Sequence, residues 1–160
     1  MKNLRIYLDT SVLNFIFAED APDFQKATVE FFEHYSMYYD LYISDIVILE
    51  IQNIPDIEYK NKLLSLIDKY QINMLSSEYD KEIKELAEKY IEKGIIPKRK
   101  MADALHIAYA TLFEMDILLS WNFKHLANIN KETRITLVNI ENGFRYPLKL
   151  ASPLEVLYEE

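Results

Sequence analysis

The chain has 160 residues, half of them hydrophobic and 13% aromatic, which suits one domain with a substantial core and excludes a disordered chain. It contains no cysteine, which excludes disulfides, cysteine zinc sites and thiol nucleophiles and fits a reducing cytoplasm. The net charge of −8 argues against broad non-specific binding to nucleic acid, but it is compatible with an acidic site that reaches phosphates through bound metal.

Strands and helices are predicted to alternate along the chain. The first half is predicted to contain, in order, a strand over 4–8, helices over 10–17 and 22–37, a strand over 41–44, and helices over 45–54 and 59–70. The second half is predicted to contain a strand over 72–75, helices over 76–94 and 100–115, a strand over 116–120, a short helix over 121–128, a last strand over 135–140 and a helical turn over 152–157.

This alternation predicts an α/β fold with a mainly parallel central sheet. Residues 1–160 are predicted to form a single domain, of which 141–160 are a C-terminal extension. Asp9 and Asn14 interrupt the first apolar run, so no cleavable signal peptide is predicted. No uncharged apolar run reaches the length of a membrane span, so no contact with a membrane is expected.

Three acidic residues stand in apolar surroundings near the expected edge of the sheet, where parallel sheets place active sites. Asp9 closes the first strand, Glu50 interrupts "IVILEIQ", and Asp103 lies in "KMADALHIA". Taken singly, Asp9 is explained as a helix N-cap, and Asp103 as a partner of Lys100 or Arg99. Glu50 lies too far beyond the cap position for such an explanation.

Together, the three carboxylates are placed to converge above one edge of the sheet. Without cations, their mutual repulsion destabilises the fold and raises some of their pKa values. A Mg²⁺ or Mn²⁺ ion relieves this repulsion, because hard cations bind carboxylate oxygens and water. Bound metal also lowers the pKa of water and stabilises charge on a phosphodiester in the transition state. The sequence therefore predicts a metal site suited to phosphodiester hydrolysis.

Four segments between residue 4 and about residue 130 match, in order, the motif blocks of a known family: "YLDTSVLNF", "SDIVILEI", "MADALHIAYA" and "DILLSWNFKHL". They resemble the motif blocks of PIN-domain nucleases, and especially the VapC-like toxins of type II toxin–antitoxin systems. The resemblance implies a three-layer α/β/α sandwich and a Mg²⁺- or Mn²⁺-dependent endoribonuclease that hydrolyses RNA through a metal-activated water. By this resemblance Asp9, Glu50 and Asp103 are the catalytic residues and the metal ligands.

The resemblance also assigns supporting residues. Thr10 or Ser11 matches the hydroxyl that follows the first acid, and Ser120 matches the small hydroxyl residue after the fourth strand. Asn122 stands where the family often carries a fourth acid, usually Asp. Since Asn adds no charge, we expect one well-held metal ion and a second that is weak or arrives with the substrate.

The same resemblance implies an RNA substrate, an antitoxin protein that covers the acidic site, and a homodimer. The lack of cysteine leads us to expect a cytoplasmic protein. The basic run Lys98, Arg99 and Lys100 is a candidate contact to the RNA backbone, and a solvated helix start explains it equally well. Two alternatives stay open. One is a catalytically weak or silent PIN-like module that binds RNA or protein, and the other is a housekeeping RNA-processing nuclease.

The three histidines and the single tryptophan are expected to have structural rather than catalytic roles. His106 lies one turn after Asp103 and is expected to be a hydrogen-bonded core residue more than a ligand. His34 and His125 are predicted to lie on the surface. Trp121 is expected to pack in the core or a loop, with stacking on a base as the alternative.

Overall fold

The structure, a computed structural model, describes residues 3–157, so residues 1–2 and 158–160 of the predicted domain lie outside it. Its sheet has five parallel strands: β1 (Leu4–Leu8), β2 (Tyr39–Ile43), β3 (Asn73–Met74), β4 (Ile117–Leu119) and β5 (Lys149–Ala151). Their spatial order is β3-β2-β1-β4-β5. The chain therefore builds outward from β1 in one direction and then from β4 in the other, which places a topological switch point between these two strands.

The central strand β1 is buried on both faces. Ile6 pairs with Leu41 of β2 on one side and with Ile117 of β4 on the other. Ile6, Tyr7 and Leu8 are all fully buried, as parallel strands covered by helices require. The carboxyl end of β1, where Asp9 follows, thus opens at the middle of the sheet edge.

Helices cover both faces of this sheet. Those in residues 3–157 are α1 (Thr10–Asn14), α2 (Pro22–Glu30), α3 (Asp45–Gln52), α4 (Ile57–Lys69), α5 (Asp80–Glu92), α6 (Met101–Leu112) and α7 (Ile129–Glu141). α1 contacts α3 and α4, whereas α5 contacts α6 and α7. Right-handed crossovers that leave β1 in opposite directions place their helices on opposite faces, which gives the predicted α/β/α sandwich. No helix among these combines the length and apolar character needed to cross a membrane.

The predicted last strand is wrong. Residues 135–140 lie inside α7, and the last strand is β5, which pairs with β4. The β-branched residues of "ITLVNI" suggested a strand, but Ile135 and Val138 are buried at helical spacing. Asn128 also caps the helix by accepting from the backbone N–H groups of Asn130 and Lys131. The cap and the packing outweigh the local β-propensity.

Two predicted helices also differ from the structure. The α-helix that begins at Pro22 ends at Glu30, and the chain continues as a π-helical turn over Phe31–Tyr35 and a 3-10 turn over Ser36–Tyr38. The predicted short helix over 121–128 is a series of turns. Its backbone is held by the carbonyl of Asn122, which accepts from two later N–H groups.

Candidate active site

A pocket of about 300 Å³ opens at the carboxyl end of β1. Its lining comprises Asp9, Thr10, Ser11, Asn14, Glu50, Ile54, Asp103, His106 and Asn122. The three acids singled out in the sequence therefore lie in one pocket, although they come from the end of β1, from α3 and from α6. The predicted supporting residues Thr10, Ser11 and Asn122 line it too.

Asp9 is held by hydrogen bonds from several directions. It is the N-cap of α1, and its Oδ1 accepts from the backbone N–H of Val12 at 3.3 Å and from the Ser11 hydroxyl at 2.6 Å. The Ser120 hydroxyl donates to Oδ2 at 2.5 Å. Burial raises the pKa of Asp9, whereas the charge of His106 and these hydrogen bonds act to lower it. These bonds fix the position of the Asp9 carboxyl group, but they do not offset the effect of burial, so its ionised form remains disfavoured.

Ser120 lies beneath the pocket. It is fully buried, and its oxygen also accepts from the backbone N–H of Asn122 at 2.9 Å. Ser11 similarly accepts from the backbone N–H of Trp121 at 2.9 Å. The two serines therefore tie the segment after β4 to the carboxylate after β1.

Glu50 reaches the pocket from α3 with a side chain that is 40% exposed. Its Oε1 accepts from the Thr10 hydroxyl at 2.9 Å and from Nε2 of His106 at 2.7 Å. Burial acts to raise the pKa of Glu50, but the hydrogen bond and charge of His106 and the bond from Thr10 outweigh it and lower the pKa. Glu50 is therefore ionised at neutral pH.

Asp103 lies in the first turn of α6 and has fewer partners. Its Oδ2 accepts one bond, from Nδ2 of Asn122 at 3.3 Å. Burial raises the pKa of Asp103 and Glu50 raises it further, whereas His106, Lys100 and the Asn122 bond lower it. Asn122 is itself fixed, because its Oδ1 accepts from the backbone N–H groups of the two residues at 124 and 125.

The pocket has the donors of a cation site without a formed cage. Across the described residues, no three histidine, aspartate or glutamate side chains already stand together as a metal-binding group. Oε2 of Glu50 and Oδ1 of Asp103 accept no hydrogen bond from any described residue. These open carboxylate oxygens lie in the same pocket as Asp9, whose ionised form is disfavoured by burial. Hard divalent cations bind carboxylate oxygens of this kind. The residues therefore fit Mg²⁺ or Mn²⁺ by donor type.

The basic run lies beside the acids. Lys98, Arg99 and Lys100 form an exposed 3-10 turn that leads directly into α6. The charge of Lys100 acts on Asp103, as noted above. Lys100 is therefore within electrostatic reach of the pocket, whereas a contact of the basic run with RNA stays a prediction.

The predicted surface position of His125 is wrong. It was expected at the surface, but it is only 5% exposed, and its Nδ1 has no hydrogen-bond partner among the described residues. Burial lowers its pKa, and the positive charges of Lys131, Lys124 and Lys100 lower it further. A basic neighbourhood that is scattered in the sequence is thus brought together by the turns after β4.

Trp121 and His106 have the packed roles expected of them. Trp121 is 5% exposed and donates from Nε1 to the Thr28 hydroxyl at 2.8 Å. His106 is 2% exposed and bonded through both ring nitrogens, to Glu50 and to the Tyr7 hydroxyl.

Three residues near the acids escaped the sequence analysis. Tyr7 and Ser44 lie behind His106, and Asn14 lines the pocket. Strand alternation was a usable signal for Tyr7, since it lies two residues before Asp9. Asn14 lies one helical turn after Thr10 and so shares its face of α1. Ser44 had no local signal beyond its place before α3.

Comparison with known proteins agrees with this architecture. A family model described as the PIN domain matches residues 6–129. Among solved structures, the chain is similar to one in the crystal structure of VapBC2 from Rickettsia felis bound to a DNA fragment from their promoter. The TM-score is 0.56 at 16% identity, with 91% of this chain and 98% of that chain covered, which is a likeness of fold. No curated protein sequence matches significantly.

Proposed function

The chain belongs to the PIN-domain family, and from that premise we propose that it is a Mg²⁺- or Mn²⁺-dependent endoribonuclease. The observation that carries the proposal is the meeting of Asp9, Glu50 and Asp103 in one pocket at the switch point of the sheet. Acids from three separate elements line this pocket, although burial disfavours the ionised forms of Asp9 and Asp103 and the charge of Glu50 disfavours ionised Asp103 further. A bound cation would explain this arrangement, because its positive charge would stabilise the ionised carboxylates.

Asp9, Glu50 and Asp103 would hold the ion. Once bound, Mg²⁺ or Mn²⁺ lowers the pKa of water and stabilises negative charge on a phosphodiester in the transition state. Ser11 and Ser120 hold Asp9 in place, and Asn122 orients Asp103. Thr10 shares with His106 the task of holding one oxygen of Glu50.

Basic side chains beside the pocket would bind the RNA backbone. We define the basic cluster as Arg99, Lys100, Lys124 and Lys131, whose charges all act on His125. Lys98 adjoins it on the same 3-10 turn. Such a cluster gives a chain of net charge −8 a local surface that attracts phosphates. Arg99 and Lys100 lie about one turn before Asp103, so an RNA strand bound to this part of the cluster would pass the acidic pocket.

Cleavage of RNA by the purified protein tests the proposal. We expect cleavage with Mg²⁺ or Mn²⁺ that is abolished by EDTA and by Asp9→Asn. Products should carry a 5′-phosphate. Full activity in EDTA or in the Asp9 variant would contradict the mechanism.

The cluster has its own test. Replacing Arg99 and Lys100 together by Gln should weaken RNA binding and reduce its dependence on salt concentration. Matched changes at Lys81 and Lys84, exposed on α5, which supplies no residue to the pocket lining, should leave both unchanged. Equal effects from the two pairs would argue against a specific RNA surface.

We also propose that the protein is the toxin of a toxin–antitoxin pair, acting as a homodimer in the cytoplasm. The likeness in fold to a chain of the VapBC2 structure supports this proposal. Co-expression with the product of an adjacent small gene should suppress cleavage and yield a complex that purifies as one species. RNA binding without cleavage under all metal conditions would instead favour a silent binding module. Activity with no such partner gene would favour a housekeeping nuclease.

A further inference from the structure

A chain of short hydrogen bonds runs from the core to Glu50. The Ser44 hydroxyl lies 2.6 Å from the Tyr7 hydroxyl, which lies 2.6 Å from Nδ1 of His106. Nε2 of His106 lies 2.7 Å from Oε1 of Glu50. Ser44 and Tyr7 are fully buried and His106 is 2% exposed, so the chain is closed to solvent until it reaches Glu50.

The bond to Glu50 has a defined direction. A carboxylate oxygen is an acceptor, so a 2.7 Å bond between it and Nε2 of His106 places the hydrogen on Nε2. Nδ1 is then engaged by the hydroxyl of Tyr7, which prevents the imidazole from rotating or flipping. Tyr7 itself belongs to β1, the central strand, and therefore anchors the ring to the most rigid part of the sheet.

Glu50 needs such an anchor. Its side chain is 40% exposed and has several rotatable bonds, which gives it conformational freedom that a site must remove. The bonds from His106 and Thr10 both fall on Oε1, and no residue in the described part of the chain donates to Oε2. A hydrophobic side chain would fill the position of His106 in the buried part of α6, and phenylalanine would fill that of Tyr7. Both polar groups are instead present and bonded.

We propose that Tyr7 and His106 are positioning residues that clamp Oε1 of Glu50 and thereby present Oε2 to a cation and to the substrate. This inference rests on the proposed function. It assigns no direct contact with substrate to either residue. Ser44 completes the clamp by fixing the hydroxyl of Tyr7, and it also caps α3, the helix that carries Glu50.

Removing the clamp tests the proposal. Tyr7→Phe and His106→Leu should each weaken Mn²⁺ binding, measured by calorimetry, about tenfold, the usual cost of losing a residue that orients a ligand. They should lower kcat for RNA cleavage and leave KM unchanged. His106→Gln, which keeps a donor for Glu50, should restore most of the loss. Tyr90→Phe is the matched control, since it deletes another buried hydroxyl, bonded to Asn139, outside the pocket.

A double-mutant cycle separates positioning from general stability. In a Glu50→Gln background, Tyr7→Phe should weaken Mn²⁺ binding no further, because the residue through which it acts has changed. Additive losses would overturn the proposal. So would an equal loss of Mn²⁺ affinity in Tyr90→Phe.

NMR of the metal-free protein distinguishes failure of the clamp from failure of the proposed nuclease function. A buried imidazole N–H of His106, assigned by its absence in His106→Gln, should give a slowly exchanging downfield resonance. It should weaken in Tyr7→Phe and in Glu50→Ala and persist in Tyr90→Phe. If it is unaffected by both Tyr7→Phe and Glu50→Ala, the clamp does not exist. If it responds as expected while wild type neither binds Mn²⁺ nor cleaves RNA, the clamp stands and the nuclease function falls.

Discussion

The two aspartates of the pocket are built very differently. Asp9 is 5% exposed and accepts bonds from Ser11, Ser120 and the backbone of Val12. Asp103 is only half-buried and accepts a single bond of 3.3 Å from Asn122. Burial raises the pKa of both, yet only Asp9 is surrounded by donors that hold one geometry. One acid is therefore part of the fold, and the other is free to adjust to what enters the pocket.

This difference arises from where each acid stands. Asp9 sits at the junction of β1 and α1, where the backbone of the central strand and a helix N-terminus already determine its place. Asp103 depends on how α6 and the segment after β4 meet. Under the proposed function, a rigid carboxylate and an adjustable one would share the binding of an ion, and the following changes probe that contrast.

The largest expected effect comes from Asp103→Asn. Cleavage should fall about a thousandfold, equivalent to ~4 kcal/mol of transition-state stabilisation, because the adjustable ligand is lost. The metal-free protein should become more stable, by about 1 kcal/mol, because a carboxylate whose ionised form is disfavoured by burial, and further by the charge of Glu50, is removed. Cleavage assays and chemical denaturation in EDTA measure both. Asp68→Asn on the exposed side of α4 is the control. A stability gain of the same size in that variant would mean that the gain in Asp103→Asn does not come from the pocket.

Ser120→Ala removes part of the hydrogen bonding that holds Asp9, the rigid acid of the pocket. It removes the donor to Oδ2 of Asp9 and the acceptor for the backbone N–H of Asn122, both in a fully buried place. We expect a loss of about 2 kcal/mol in unfolding free energy and about a tenfold loss of cleavage. Ser65→Ala, which deletes an exposed hydroxyl bonded to the carbonyl of Lys62, should change neither. A stable Ser120 variant would mean that Asp9 is not rigidly held.

Asn122→Asp makes the adjustable side more acidic. It replaces the donor to Asp103 by a like charge, so the metal-free protein should lose about 1 kcal/mol of stability. Affinity for Mn²⁺ should rise by about threefold because a fourth carboxylate joins the pocket. Calorimetric titration measures the gain. An unchanged affinity would show that residue 122 lies outside the reach of the ion.

The smallest expected effect is a pH dependence. Because burial raises the pKa of Asp103 in the folded state, its contribution to stability is present below the ordinary pKa of about 4 and is lost as the pH rises through the folded value. In EDTA, the stability advantage of Asp103→Asn over wild type should therefore grow from pH 4 toward neutral pH. Mn²⁺ should reverse it. An advantage that is constant across this range would contradict the raised pKa.

Local pattern predicted much of the fold. The strand at 4–8 was predicted with the bounds it has, and the helix over 76–94 contains α5, with Gly94 in a left-handed conformation just past its end. The last strand was missed because β5 has only three residues and carries little pattern of its own. Its pairing with β4 is a tertiary contact that no local window contains.

The sequence by itself determined the kinds of chemistry available. The acid after β1, the acids inside two apolar helices, and the amide in place of a fourth acid are local facts, since residue type and spacing fall within one element. These patterns sufficed to predict an α/β fold and an acidic edge.

Only the tertiary structure decided how each acid is used. The hydroxyl of Ser120 meets Asp9 across 111 positions of sequence, and His106 meets Glu50 across 56. The Tyr7 hydroxyl reaches His106 across 99. Hydrogen bonds act over about 3 Å, so which oxygen is held and which is left open depends on how strands and helices pack against one another.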